Sequence, residues 1–108
     1  MKIFQHHVKN SPKNQFLGTR EKLSEGFGQY QWLTFEEVDV NARNLARGIM
    51  KLDLCPEVEG EDTTWRFCGN WSRNRQEWLT VMLANMHHKT TTVGFYDAMN
   101  PTAVDFII

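Results

Sequence analysis

Asp97 is the residue best placed to do chemistry. It ends the β-branched run from Thr90 to Tyr96, and carboxylates at strand ends often face ligand crevices in α/β proteins. No nucleophile, second carboxylate or glycine-rich loop stands near it in sequence. Asp serves equally well to turn a strand into a loop, and that structural role is the reading adopted. The pairs His6-His7 and His87-His88 raise the question of a metal. Adjacent helical residues point about 100° apart, so they do not converge as i, i+4 ligands do. His87-His88, at a helix end, reads instead as a partner for the helix dipole. The three serines, Ser11, Ser24 and Ser72, stand in no GxSxG elbow, and Ser72 reads as a helix cap. No phosphate-cradling glycine motif occurs, and Gly26-Phe27-Gly28 reads as a turn. Trp65, Trp71 and Trp78 could line a lipid or base-stacking surface, but their spacing fits core and sheet-edge packing. Cys55 and Cys68 lie thirteen positions apart without CxxC spacing. A disulfide is arithmetically possible; free, buried thiols in a reducing compartment are the reading adopted. On residues alone, no catalytic, cofactor-binding or metal-ligating residue is assigned.

Bulk properties narrow the class. A chain of 108 residues is one domain at most. Hydrophobic residues make up 41% and charged residues 23%, an ordinary globular composition. Twelve Lys and Arg against thirteen Asp and Glu give a net charge of -1, with the basic residues scattered, which argues against nucleic acid as a partner. No apolar run reaches signal-peptide or membrane-span length, so the expected setting is cytoplasmic.

The elements that would position Asp97 follow from local signals. Residues 1–29 are polar and glycine-dotted and read as an irregular N-terminal arm, with a brief extended stretch around Ile3 to Val8. Tyr30 to Thr34 alternates as a strand. Thr34 and Glu37 have capping-box spacing, and Val38, Ala42, Leu45, Ala46, Ile49 and Met50 form one apolar helical face, ending near Leu52 before Pro56. Arg43 and Arg47 fall on the opposite side. Glu57 to Thr64 reads as an acidic turn, and Trp65 to Trp71 as a strand with Phe67 and Gly69 on one face, Arg66 and Cys68 on the other. Ser72 or Asn74, the latter at capping-box spacing from Glu77, would cap a helix carrying Trp78, Met82 and Met86, followed by the strand Thr90 to Tyr96. Asn100-Pro101 opens a last helix.

Strand, helix, strand, helix in this order predicts an α/β fold with a parallel βαβ unit. Parallel sheets need both faces covered and several strands. The expectation is therefore an incomplete piece of a larger domain, ending on the apolar Phe106-Ile107-Ile108. A small complete protein with a packed C-terminal helix is the alternative.

Five segments, in order, carry a family likeness. Phe16-Leu17-Gly18-Thr19-Arg20 is similar to an "FLGTR" element, and Tyr30 to Val38 to "Y-x-W-x-T-Y-x-E-V". Ala42 to Gly48 keeps the same register. Asn74-Arg75-Gln76-Glu77-Trp78 is similar to "NRPEW", and Thr92 to Asn100 to the strand and turn written "VPLYDTLG". Together they make Phe16 to Ile108 resemble the N-terminal start of the long-chain fatty-acid–CoA ligases of the AMP-forming acyl-adenylating superfamily. Gly94 and Gln76 stand where that family has Pro, and Asn100 where it often has Gly; the glycine and asparagine are turn-compatible.

The resemblance implies that residues 30–108 open an AMP-binding N-terminal domain. It implies a two-step reaction for the full enzyme: fatty acid and ATP give acyl-AMP and pyrophosphate, and CoA then displaces AMP. ATP, Mg²⁺ and CoA would serve that full enzyme, while no cofactor is expected in this chain. The family's phosphate loop, nucleotide contacts and catalytic lysine lie downstream, so no residue of theirs is carried over. The expectation is an inactive scaffold fragment whose partner is the remainder of the enzyme. The alternatives are a non-catalytic protein-interaction module or partner subunit of a split enzyme and, more weakly, a lipid-binding module.

Overall fold

A computed structural model describes all residues 1–108. The chain runs α1 (Lys2–Asn10), β1 (Gln15–Lys22), β2 (Phe27–Thr34), α2 (Phe35–Lys51), β3 (Val58–Glu59), β4 (Thr64–Trp65), β5 (Phe67–Trp71), α3 (Gln76–His87), β6 (Thr91–Phe95) and α4 (Pro101–Ile107). The strands form three two-stranded sheets: antiparallel β1–β2 and β3–β4, and parallel β5–β6. The expected βαβ unit is β5–α3–β6.

Residues 1–29 are not irregular. Phe4 and Val8, at i, i+4, give α1 an apolar side that packs on α2, and Phe4 is buried beside Val38, Ala42 and Leu83. Gln5 Nε2 fixes the docking by donating to Asp39 Oδ1 at 2.8 Å. The extended reading of Ile3 to Val8 fails because tertiary burial of Phe4 selects the helix. The Phe16 ring then stacks on Phe35 at 4.3 Å and joins α1 to the hairpin.

In that hairpin Gly18 pairs with Trp32, whose ring lies over it; a Cβ at Gly18 would sit 2.8 Å from the indole. Gly26, at φ +81°, makes the turn where the Leu23 N–H bonds its carbonyl.

Helix α2 starts as its sequence dictates. Thr34 Oγ1 accepts from the Glu37 N–H, and the Glu37 carboxylate takes the Thr34 N–H at 2.8 Å. The Thr34 N–H, and the Thr34 hydroxyl donating to the same carboxylate at 2.9 Å, hold the Glu37 carboxyl below its usual range. Thr34→Ala should therefore cost about 1 kcal/mol of stability, read from the urea midpoint. The buried face contains Val38, Ala42, Ala46 and Ile49 but also Asp39, while Leu45 is partly exposed.

Two strand and cap expectations need correction. The stretch Trp65 to Trp71 is not one strand: it breaks at Arg66, whose guanidinium bonds the Cys55 carbonyl at 2.7 Å and Glu57 at 3.1 Å. Trp65 pairs with Val58, whereas Phe67 pairs with Thr91. Helix α3 is capped by neither Ser72 nor Asn74. Its N-cap is Arg75, which makes no side-chain cap and forms a two-pronged pair with Glu77 at 2.6 and 2.9 Å. That pairing draws Glu77 away from the capping-box geometry. At α4 the expected cap holds, with Asn100 Oδ1 accepting the Thr102 N–H at 2.9 Å.

Helix α3 covers one face of the parallel pair. Asn85 Nδ2 donates to Thr92 Oγ1 at 2.9 Å, Asn70 Nδ2 to the Trp78 carbonyl at 3.2 Å, and the Trp78 ring lies over Gly94. The opposite face, with Phe67, Gly69, Val93 and Phe95, borders an apolar groove of about 500 Å³ closed in part by Ile107 and Ile108. Ile108 is 91% exposed, so this face is only partly covered. The radius of gyration of 16.2 Å exceeds the roughly 13 Å of a compact domain this long. The chain is spread out rather than closed around one core.

Candidate functional site at the carboxyl ends of the parallel strands

A crevice beyond the carboxyl ends of parallel strands is where open α/β sheets bind ligands. Here that position holds a cavity of about 490 Å³, lined by Ser72, Arg73 and Asn74 after β5, Gly94 to Asp97 at the end of β6, and Trp78 of α3. The β5 and β6 ends are stitched together by Trp71, whose Nε1–H donates to the Tyr96 carbonyl at 2.8 Å. Asp97 therefore stands at the mouth, as its place after the strand foretold.

Its partner was not foretold. Arg73 Nε approaches Asp97 Oδ2 at 3.5 Å, joining residues from two different strand ends. Both side chains are well exposed, so the pair aligns the loops without storing much energy. Arg73→Gln is expected to leave the urea midpoint unchanged within error, which separates loop alignment from a stabilising role. Ser72 Oγ donates to the Arg73 carbonyl at 3.1 Å, and no base stands against it.

These residues do not fit Mg²⁺·ATP. The mouth offers a single carboxylate, already facing an arginine, and Trp78 fills the space that Gly94 leaves open. No group of three His, Cys, Asp or Glu side chains converges anywhere in the chain. The histidine pairs have packing surroundings: His7 stacks on Phe35 at 5.1 Å, and His87 and His88 end and cap α3. Burial pushes His87 below the ordinary imidazole range, helped by the nearby Arg43 guanidinium. Trp65 and Trp71 lie in strands, Trp65 stacked on Phe67 at 6.1 Å and over Gly60, while Trp78 packs from α3 over Gly94. Cys55 and Cys68 are free thiols. No helix is long and apolar enough to cross a membrane.

The relatives of this chain are, by name, CoA ligases and acyl-CoA synthetases. It is 36% identical over 94% of its length to "Probable CoA ligase CCL6" of Humulus lupulus. It is 32% identical over 98% of its length both to "Acyl-CoA ligase 891, peroxisomal" of Penicillium roqueforti and to "Long chain acyl-CoA synthetase 3" of Arabidopsis thaliana. The chain is thus related, along nearly all of its sequence, to the CoA ligases and long-chain acyl-CoA synthetases. It spans only about 14% of the length of these curated relatives. No protein-family model matches it, and no solved structure matches it at a significant level.

Proposed function

We propose that this chain is scaffold from the start of the AMP-binding domain of a long-chain fatty-acid–CoA ligase, and that it catalyses nothing by itself. Residues 30–108 would build one layer of that domain, with residues 1–29 packed against it through Phe4 and Phe16. The complete polypeptide would join ATP, a fatty acid and CoA to give acyl-CoA, AMP and pyrophosphate, in the cytoplasm or at a membrane surface. The observation that carries this reading is the β5–β6 pair: a two-stranded parallel sheet with open edges and a half-covered apolar face. Such a pair gains full burial only within a wider sheet flanked on both sides. The remaining acyl-CoA ligase polypeptide is the partner this face suits. A separately encoded remainder would suit it too, as in the subunit alternative.

The experiment is an assay of the purified chain with ATP, Mg²⁺, CoA and palmitate, together with ATP titration calorimetry. No palmitoyl-CoA and no ATP heat are expected. ATP-dependent thioester formation by the isolated chain would overturn the scaffold reading.

A further inference from the structure

Arg43, Arg47, His87 and His88 surround one small crevice where α2 passes the end of α3. Its volume is about 170 Å³, Ala46 is its other lining residue, and no carboxylate lines it. Arg43 and Arg47, at i, i+4, are neighbours on α2. Arg43 is fixed in place: its Nε donates to Asp39 Oδ2 at 2.7 Å and its Nη2 to Gln5 Oε1 at 3.3 Å. Those bonds leave Nη1 without a partner. Arg47 commits only Nη1, to Asn44 Oδ1 at 3.3 Å, so its Nε and Nη2 are free. Across the crevice stands His87, whose Nε2 is buried and meets no hydrogen-bond partner. A buried ring nitrogen left unpaired calls for a physical account. The carbonyl end of α3 would repel an anion, but it is partly closed. The Asn85 carbonyl there takes both the Thr90 N–H at 2.9 Å and the His88 N–H at 3.2 Å. Two guanidinium groups against the single Asp39 carboxylate leave one positive charge uncompensated. Size then selects the ligand. Pockets that enclose drug-sized molecules start near about 300 Å³, so a nucleotide is too large. A tetrahedral oxyanion fits in the space of several waters, at roughly 30 Å³ each. Guanidinium forks match such oxyanions by geometry as well as by charge.

We propose that the crevice between α2 and the end of α3 binds a compact tetrahedral dianion of the phosphate type, held by Arg43, Arg47, His87 and His88. Without the anion, burial keeps the His87 ring below the ordinary imidazole range; Arg43 and His88 add to this and Asp39 opposes it. A bound dianion reverses that balance, so the proton and the anion bind together. Asp39 is held below its usual range, stays ionised throughout, and takes no part in the linkage. MgATP is too bulky for the crevice, and its metal already neutralises its phosphates. The site therefore stands apart from the reaction proposed for the complete enzyme.

The test is an NMR titration of the whole isotope-labelled chain with sodium sulfate, with sodium chloride holding the ionic strength constant. Sulfate, unlike phosphate, keeps its double charge across the imidazole range. Shifts at Arg43, Arg47, His87 and His88 should saturate together. Affinity should rise on the order of tenfold as pH falls from about 8 to 5. By reciprocity, the His87 ring should titrate at higher pH when sulfate is bound. Arg47→Gln, a change at an exposed position, should weaken binding roughly tenfold. Inorganic phosphate should displace sulfate. Displacement by glycerol 3-phosphate as well would extend the ligand to phosphate esters, and displacement by neither would overturn the proposal. Shifts that never saturate, or that fall equally on Lys2, Lys9 and Arg73, would also overturn it. So would an unmoved His87 titration, or saturation by a tri-glutamate peptide in place of sulfate. Should Arg47→Gln fail to fold, the wild-type titration alone decides.

Discussion

Val38→Asp is expected to unfold the isolated chain. Val38 is 0% exposed and sits among Phe4, Ala42 and Leu83, the buried cluster where α1, α2 and α3 meet. A carboxylate placed there would have no cation or donor within that apolar cluster, and an unpaired buried charge costs several kcal/mol even after relaxation. Domains of this length are typically stable by only about 5–15 kcal/mol. Only fourteen residues of this chain are buried, so its margin should lie at the low end of that range. Far-UV circular dichroism should show loss of helix for Val38→Asp. Val40→Asp, the same change two residues along on a face 54% exposed, should cost no more than about 0.5 kcal/mol. Equal melts for the two variants would show that α1 and α3 do not pack on α2 as described.

Asp39→Ala is expected to cost about 2 kcal/mol, the next largest effect. Its side chain is 9% exposed and receives Arg43 Nε at 2.7 Å and Gln5 Nε2 at 2.8 Å, so one carboxylate ties α1 to α2. Charge-assisted bonds of this kind are worth more than neutral ones, but Arg43 is half-exposed and recovers water when its partner is lost. Burial alone would raise the Asp39 carboxyl; the bonds from Arg43 and Gln5 together outweigh it and hold the group below its usual range. The sign of the pH effect follows. A depressed folded-state value means that the unfolded chain binds more protons in the acid window. The Asp39 contribution is thus complete above the ordinary aspartate range and is lost as pH falls through the depressed value. Urea midpoints of wild type and Asp39→Ala should differ at neutral pH and converge in acid. A gap that persists through the acid range would assign the loss to packing rather than to the ionised carboxylate.

What the sequence made legible was local. Thr34 and Glu37 announce α2, and Asn100-Pro101 announces α4, because a cap bond spans only two or three residues. The order of strand, helix and strand was enough to give the parallel β5–β6 pair. What it hid depended on distant partners. Helix α1 exists because Phe4 finds Val38, thirty-four residues on, and Asp39 is buried because Gln5 and Arg43 meet it there. The break at Arg66 needs the Cys55 carbonyl, and the Arg75–Glu77 pair displaced a cap that spacing alone favoured. At the candidate site, Asp97 could be placed at a strand end, yet Arg73 could not be paired with it until β5 and β6 were known to lie side by side. A salt-bridging arginine at the end of the preceding parallel strand is the signal that could have found it. The family likeness rests on ordered short segments, and the relatives found over nearly the whole chain agree with it.

The central claim, that this chain is acyl-CoA ligase scaffold, is tested most directly by exchange. The stretch of Long chain acyl-CoA synthetase 3 of Arabidopsis thaliana that aligns with this chain over 106 residues would be replaced by this chain, and ATP-dependent acyl-CoA formation measured. A scaffold of the right shape should leave the rate within about tenfold of the parent, roughly 1.4 kcal/mol of activation energy. A chimera that is soluble, melts cooperatively and makes no acyl-CoA would contradict the account.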